Sequence, residues 1–303
     1  MGKVYKTLHR VQLYLPQRQF PMQKLLIFLF LAFLTTTELF SQDNDWRYIV
    51  SSTIPQNGVE AKLFNNLYSQ QTGPGDGVLD TRASYFTSFL SFLYGVNDRF
   101  NAGFDARFRG VRIDNLPSSP FDLFAFENGD HTRYGVTTIG PKVRIAPLAR
   151  LPKFSIQSAF WFPIGDQLTG SDNDPFIDWD GASWWTQFFN DFSIGNDFAL
   201  FTEIDFFIED LGKDRTNRIS TPVTGIFSYF PIENAQLYVL GGYSPYWQEN
   251  YDYFVQAGIG AKYQFNPQFE IELLYTYFTN GDLQFVGGKA STFNIGFRYS
   301  TPR

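Results

Sequence analysis

Ionisable residues recur at alternate positions among apolar neighbours, and that spacing is the chemistry this sequence offers. They are Lys62; Asp105, Arg107 and Arg109; Arg133 and Arg144; Glu203 and Asp205; Lys262; Glu270 and Glu272; and Arg298. Glu60, Lys142, Glu209 and Asn294 fall into the same register. A charge at every second position belongs to an extended strand with one wet face and one apolar face. Such residues can line a polar passage that passes small solutes and discriminates among them by charge. They can equally pair with one another and fill a narrow barrel as an Arg–carboxylate network. The sequence leaves both readings open.

Other chemistries find less support. His131 is the only histidine after residue 41, and its neighbours are Asp130, Thr132 and Arg133. A His-based hydrolase needs a nucleophile and an orienting group around the imidazole, and no serine stands close by. A loop-edge histidine without a role is the favoured reading. The loop GDQLTGSDNDPFIDWDG, residues 165–181, gathers Asp166, Asp172, Asp174, Asp178 and Asp180. Clustered carboxylates could hold Ca²⁺, but the spacing does not match the EF-hand loop, so a solvated acidic surface loop is expected. No glycine-rich phosphate loop and no metal-spaced histidine cluster is present, and the chain has no Cys, which removes thiolate metal sites and disulfides. The expectation is a protein without catalytic residues, bound metal or cofactor.

The elements that must position these charges are strands. In FVQAGIGAKYQFNPQFEIELLYTYF, residues 254–278, apolar residues alternate with others, break at Asn266-Pro267-Gln268, and resume. The same pattern predicts strands near 59–70, 83–95, 99–113, 131–146, 153–163, 182–194, 197–209, 220–230, 235–246, 251–265, 268–279 and 290–300. Short connections at 96–98, 147–152, 195–196, 232–235 and 266–267 alternate with longer ones, which is the order of an up-and-down barrel with one set of tight turns and one set of loops. Aromatics sort to the rims of the apolar face: the tenth strand reads Tyr251, Tyr253, Val255, Ala257, Ile259, Ala261, Tyr263, Phe265. Aromatic rings suit the headgroup level and aliphatic side chains suit hydrocarbon. The fold class expected is all-β, an up-and-down antiparallel transmembrane β-barrel of about 12 strands. A water-soluble barrel or sandwich is the alternative.

On that reading the third and fourth strands concentrate basic groups inside and the seventh and eleventh concentrate acidic ones, a transverse field across the lumen. Gly140-Pro141 suggests a bulge in the fourth strand. Inward Gly258, Gly260 and Gly296 should leave space, whereas Trp161 and Trp185 should fill it.

Residues 22–41, MQKLLIFLFLAFLTTTELFS, read as a secretory signal peptide cleaved near Ser41/Gln42. Its apolar run is too short for a spanning helix. Residues 1–41 are therefore expected to be absent from the mature protein, with 42–58 a periplasmic lead-in and 59–303 the barrel. Removing residues 1–41 takes away three Lys, two Arg and Glu38, leaving 19 basic and 29 acidic residues and a net charge of about −10. That balance argues against nucleic acid as a partner. Outer-membrane lipid, the barrel assembly machinery and a small-molecule solute are the partners expected.

LYGVNDRFNAGFDARFR, residues 93–109, resembles the strand–turn–strand unit of outer-membrane barrels associated with the meta-cleavage pathway of phenol degradation, and AFWFPIGDQLTG, residues 159–170, resembles that family's strand ending in Pro-x-Gly before a loop. The final strand, FNIGFRY, is similar to the assembly signal of outer-membrane barrels in general. The resemblance implies a transport barrel in the outer membrane and carries over no catalytic residue. A passive channel or porin-like transporter is the function expected. A non-conducting surface barrel used for adhesion or partner binding, and a lipid-modifying barrel enzyme, are the alternatives.

Overall fold

The structure is a computed structural model and describes residues 50–71, 82–114, 119–126, 131–151, 153–170, 175–247, 252–280 and 290–301, all within one compact unit spanning 40–303. The expected signal peptide, residues 42–49 of the lead-in, and Asp172 and Asp174 lie outside the described residues.

Strands run where the alternation places them. In chain order they are β1 (Val59–Gln71), β2 (Arg82–Asn97), β3 (Phe100–Asp114), β4 (Thr132–Ile145), β5 (Phe154–Pro163), β6 (Ala182–Ile194), β7 (Phe198–Leu211), β8 (Arg218–Ser220), β9 (Val223–Ile232), β10 (Ala235–Tyr246), β11 (Asp252–Gln264), β12 (Phe269–Asn280) and β13 (Ala290–Ser300). Every neighbouring pair is antiparallel, and the sheet closes because β1 pairs with β2 on one side and β13 on the other, Leu63 facing both Leu90 and Phe297. Closure gives the backbone of both end strands a partner, which hydrocarbon demands because unpaired polar groups there cost several kcal/mol each.

Twelve staves form the wall, and the thirteenth strand arises from a break. The sequence predicts one strand over 220–230, but Pro222 divides it into β8 and β9. Proline has no N–H to give to the ladder. The flanking groups keep the wall closed: Thr221 N donates to Pro245 O (3.2 Å), and Pro222 O accepts from Asp205 N (2.8 Å).

A register shift between Arg107 and Phe108 opposes β4 near Thr137. This bulge lies three residues from the Gly140-Pro141 pair that suggested it. It lets Arg133, before the bulge, and Lys142 and Arg144, after it, all point inward although their numbers differ in parity.

The molecule is inside-out relative to a water-soluble fold. Ile259 is 65 % exposed, while Lys142 and Arg298 are 3 % and 5 % exposed. Val255, Leu273, Phe293 and Phe297 also face outward, and no helix among the described residues is long and apolar enough to cross a membrane. A continuous apolar outer wall of this kind belongs in hydrocarbon. The strands provide the crossing.

Candidate functional site

Parity sends the polar half of each strand into the lumen, where three tiers can be distinguished. The first lies at the tight-turn end, where residues 50–58 cross the mouth of the barrel. Ser51 is fully buried and its N–H donates to Asp191 Oδ2 on β6 (2.9 Å). The carbonyls of Val50 and Ser52 accept from Arg144 Nη1 on β4, each at 3.3 Å. Ile54 exchanges two hydrogen bonds with the side chain of Asn101 on β3, at 2.9 and 2.8 Å. Asn57 and Gly58 pair with Gly95 on β2, at 2.8 and 2.9 Å. Gly95 must be glycine for this seat, since a Cβ there would stand 2.0 Å from Pro55 O.

The second tier is the waist. Lys142 is buried and bonded to Asp105 and Ser91, and Asp105 also accepts from Trp161 Nε1 (3.2 Å). Lys262 stands 3.5 Å from Glu272, which accepts from the Tyr238 hydroxyl. Arg298 clasps Glu270 through two nitrogens at 3.3 and 3.1 Å, and Lys62 pairs with Glu60 at 3.2 Å. Arg144 donates to Gln157 Oε1 (3.1 and 2.8 Å), Gln157 to Gln187 (2.6 Å), and Gln187 to Glu203. This relay crosses four adjacent strands from a guanidinium to a carboxyl group. Asp205, two residues beyond Glu203, is buried, and its Oδ1 has no hydrogen-bond partner. Between these groups lies a cavity of about 290 Å³ lined by Lys62, Asp105, Lys142, Arg144, Glu203, Lys262, Glu270, Glu272 and Arg298, with Phe89, Trp185 and Phe201 among the rings.

The third tier lies at the loop end. The β5–β6 loop folds into the barrel, where Leu168 and Ile177 bury against Val111 beside Tyr85 and Ile113. Arg133 fixes the loop backbone by donating to the carbonyls of Gln167 (2.8 Å), Asp166 (3.2 Å) and Pro175 (3.2 Å). Asp178 is thereby set between Arg109 (2.9 Å) and Arg107 (3.5 Å), and the Arg107 guanidinium lies 4.8 Å from the Trp161 ring centre. Burial alone would raise the Asp178 pKa, but Arg107 and Arg109 prevail and hold it below the usual carboxylate range. The start of β8 closes on this loop: Arg218 stacks 3.7 Å from the Trp179 ring centre and pairs with Glu209 (2.9 Å) and Asp210 (3.3 Å) at the end of β7. Asp180 is held below its ordinary pKa mainly by Lys213 at 3.0 Å, with Arg215 adding to the effect.

Several expectations change on this geometry. The charges do not sort into opposed basic and acidic walls. Most are cancelled by a neighbour on the same or the adjacent strand, and the Arg144–Glu203 relay runs along the wall through neighbouring strands, not across the lumen. The acidic β5–β6 loop is not simply solvated, because Asp178 is buried and both Asp178 and Asp180 are paired with cations. The inward glycines do not leave open space: Tyr238 lies over Gly260, where a Cβ would meet its ring at 2.2 Å, and the Phe64 ring stands 3.0 Å from a Cβ at Gly296. His131 is exposed just before β4 and gives its carbonyl to Ile113 N (3.0 Å). Among the described residues no cluster of three or more potential metal ligands comes together.

Gln157, Gln187, Asn101 and Asp191 join the interior network unannounced. The two glutamines share the alternation of Trp161 and Trp185 and could have been found by extending it. Nothing in the sequence marks Asp178 as an interior residue, since its contacts come from a loop that folds back.

No family model matches this chain, and no curated protein matches it. Solved structures do. An outer-membrane channel from Pseudomonas putida F1 superposes with a TM-score of 0.56 at 12 % identity, covering 86 % of this chain and all of that one. The β-domain of the Bordetella autotransporter BrkA gives 0.51 at 14 % identity, covering 81 % of this chain and all of that one. At such identities the likeness is one of fold, shared by barrels with different duties. The closed barrel and its inverted exposure, with these likenesses of fold, make this chain an outer-membrane β-barrel.

Proposed function

We propose that the barrel is a passive, narrow channel for small solutes across the outer membrane. The observation that carries this reading is the cavity of about 290 Å³ at the waist, lined by charges of both signs inside an apolar outer wall. The residues proposed to line the path are Lys62, Asp105, Arg107, Arg109, Arg133, Arg144, Glu203, Asp205, Lys262, Glu270, Glu272 and Arg298. Because most of these charges are already paired, the lumen should favour neutral or zwitterionic solutes over ions of one sign. The Pseudomonas putida barrel of the same fold is an outer-membrane channel, a precedent that names no solute here. The barrel has no catalytic duty in this account, and it inserts with the help of the barrel assembly machinery. Proteoliposomes carrying the refolded protein should swell in isotonic glycine faster than protein-free liposomes, and far less in a trisaccharide. Swelling no faster than the protein-free control would overturn the reading.

The tight packing at both mouths favours a second reading, a non-conducting barrel whose loops bind a partner. Absence of swelling with any solute, even after the lead-in is removed, would turn the choice that way.

A further inference from the structure

We propose that the β3–β4 loop plants an aromatic foot in the outer leaflet, and that Phe121, Phe124 and Phe126 bind outer-leaflet lipid at the boundary between headgroups and acyl chains.

The foot is a short 3-10 helix, Pro120–Ala125, held at its start by local chemistry. Ser119 Oγ accepts from Phe121 N (3.2 Å), and Asp122 Oδ2 accepts from Ser119 N (3.0 Å). Pro120 presets the first turn. The helix lies on the outside of the barrel wall, not over the pore mouth. On β3, Asp105, Arg107, Arg109 and Val111 point inward, so Gly110 and Arg112 point outward. Arg112 donates to the Asp122 carbonyl (3.2 Å), and the hydroxyl of Tyr134 donates to the Leu123 carbonyl. Leu123 is buried against the wall because Gly110 gives it and the Tyr134 ring room: a Cβ at Gly110 would meet that ring at 2.6 Å.

This anchoring buries one apolar side chain, Leu123, and leaves three rings exposed beside it, with Phe126 resting on Tyr134 of the outer wall at 5.3 Å. Phe121 is 65 % exposed and Phe126 is 56 % exposed; Phe124 packs on Phe86 of the outer wall at 5.2 Å and joins the other two at 6.4 and 6.2 Å. A patch of three phenylalanines rigidly held toward water has no solvation to recommend it. Its height on the wall supplies the occupant. The outward residues of β3 change from Phe104 and Phe108 to the ion pair Arg112–Asp114 (2.9 Å), which marks the upper edge of the hydrocarbon belt. The rings sit at that edge and are continuous with the lipid-facing Phe86, Tyr134 and Val136. Aromatic side chains at this level partition into the membrane interface.

The chain has no Cys, so single cysteines report cleanly. Ala125 is exposed on the foot and its replacement keeps all three rings, so the probe is Ala125→Cys carrying bimane, in the refolded full-length barrel in phosphatidylcholine vesicles. Leu90→Cys on the outer wall and Asp214→Cys in the exposed β7–β8 loop serve as lipid and water references. The Ala125→Cys label should be quenched by lipid bearing a nitroxide near the headgroup and be several-fold less sensitive to aqueous iodide than the Asp214→Cys label. Adding Phe121→Ser and Phe126→Ser should restore iodide sensitivity toward the water reference. An Ala125→Cys label as open to iodide as the Asp214→Cys label and untouched by lipid nitroxides would overturn the proposal, because the rings would then face water or a protein partner.

Discussion

Asp178 is the interior residue on which most depends at the smallest scale. It neutralises Arg107 and Arg109 together, so Asp178→Asn leaves two guanidinia facing each other in a partly buried site. Removing one partner of such a cluster costs about 3 kcal/mol. Urea unfolding of the protein in vesicles should register that loss, whereas Asp180→Asn, at the more exposed pair with Lys213 and Arg215, should change little. The pH dependence has a definite sign. The folded pKa of Asp178 is lowered, so its contribution is present above the unfolded value of about 3.9 and is lost as pH falls through the folded one. The β5–β6 loop should resist protease at neutral pH and open to it reversibly only as pH falls through the folded pKa of Asp178, below the usual carboxylate range. Lys142→Met is the matching test at the waist: it strands Asp105 with Trp161 and Ser91 as polar neighbours, and it should destabilise the barrel in the same unfolding assay.

At the scale of elements, strands were legible because the membrane enforces period-two alternation over long runs and the tight turns punctuate it. The break at Pro222 was missed because the chain on both sides still alternates, although a proline in a central strand is a warning in itself. The bulge was legible to within three residues because Gly140-Pro141 weakens β4, but the shift itself falls where β3 and β4 must bring Arg107 and Thr138 opposite each other. The lead-in was expected over 42–58, but its seat in the barrel mouth was not legible. Its seat is made of backbone hydrogen bonds to Asn101, Arg144 and Asp191, residues with no periodic relation to residues 50–58. The inward fold of the β5–β6 loop was hidden for the same reason, and its aspartates looked like ordinary surface charge. Gly95→Ala tests the seat directly. The added Cβ meets Pro55 O rather than a flexible side-chain end, so the lead-in should leave the mouth and become accessible to protease. The barrel should keep its resistance to unfolding in cold detergent, because the β1–β2 ladder does not depend on that contact.

The whole molecule combines an apolar exterior, a charge-paired interior and two partly closed ends. Those features fit a passage that is narrow by construction, with residues 50–58 as the restriction at the tight-turn mouth and the β5–β6 loop as the restriction at the other. Single-channel recording in planar bilayers tests this most directly, comparing the intact barrel with a variant lacking residues 50–57. The account predicts discrete small steps from the intact barrel and steps at least about twofold larger from the shortened one, because the lead-in occupies the mouth. Silence from both, or equal conductance with and without the lead-in, would contradict it.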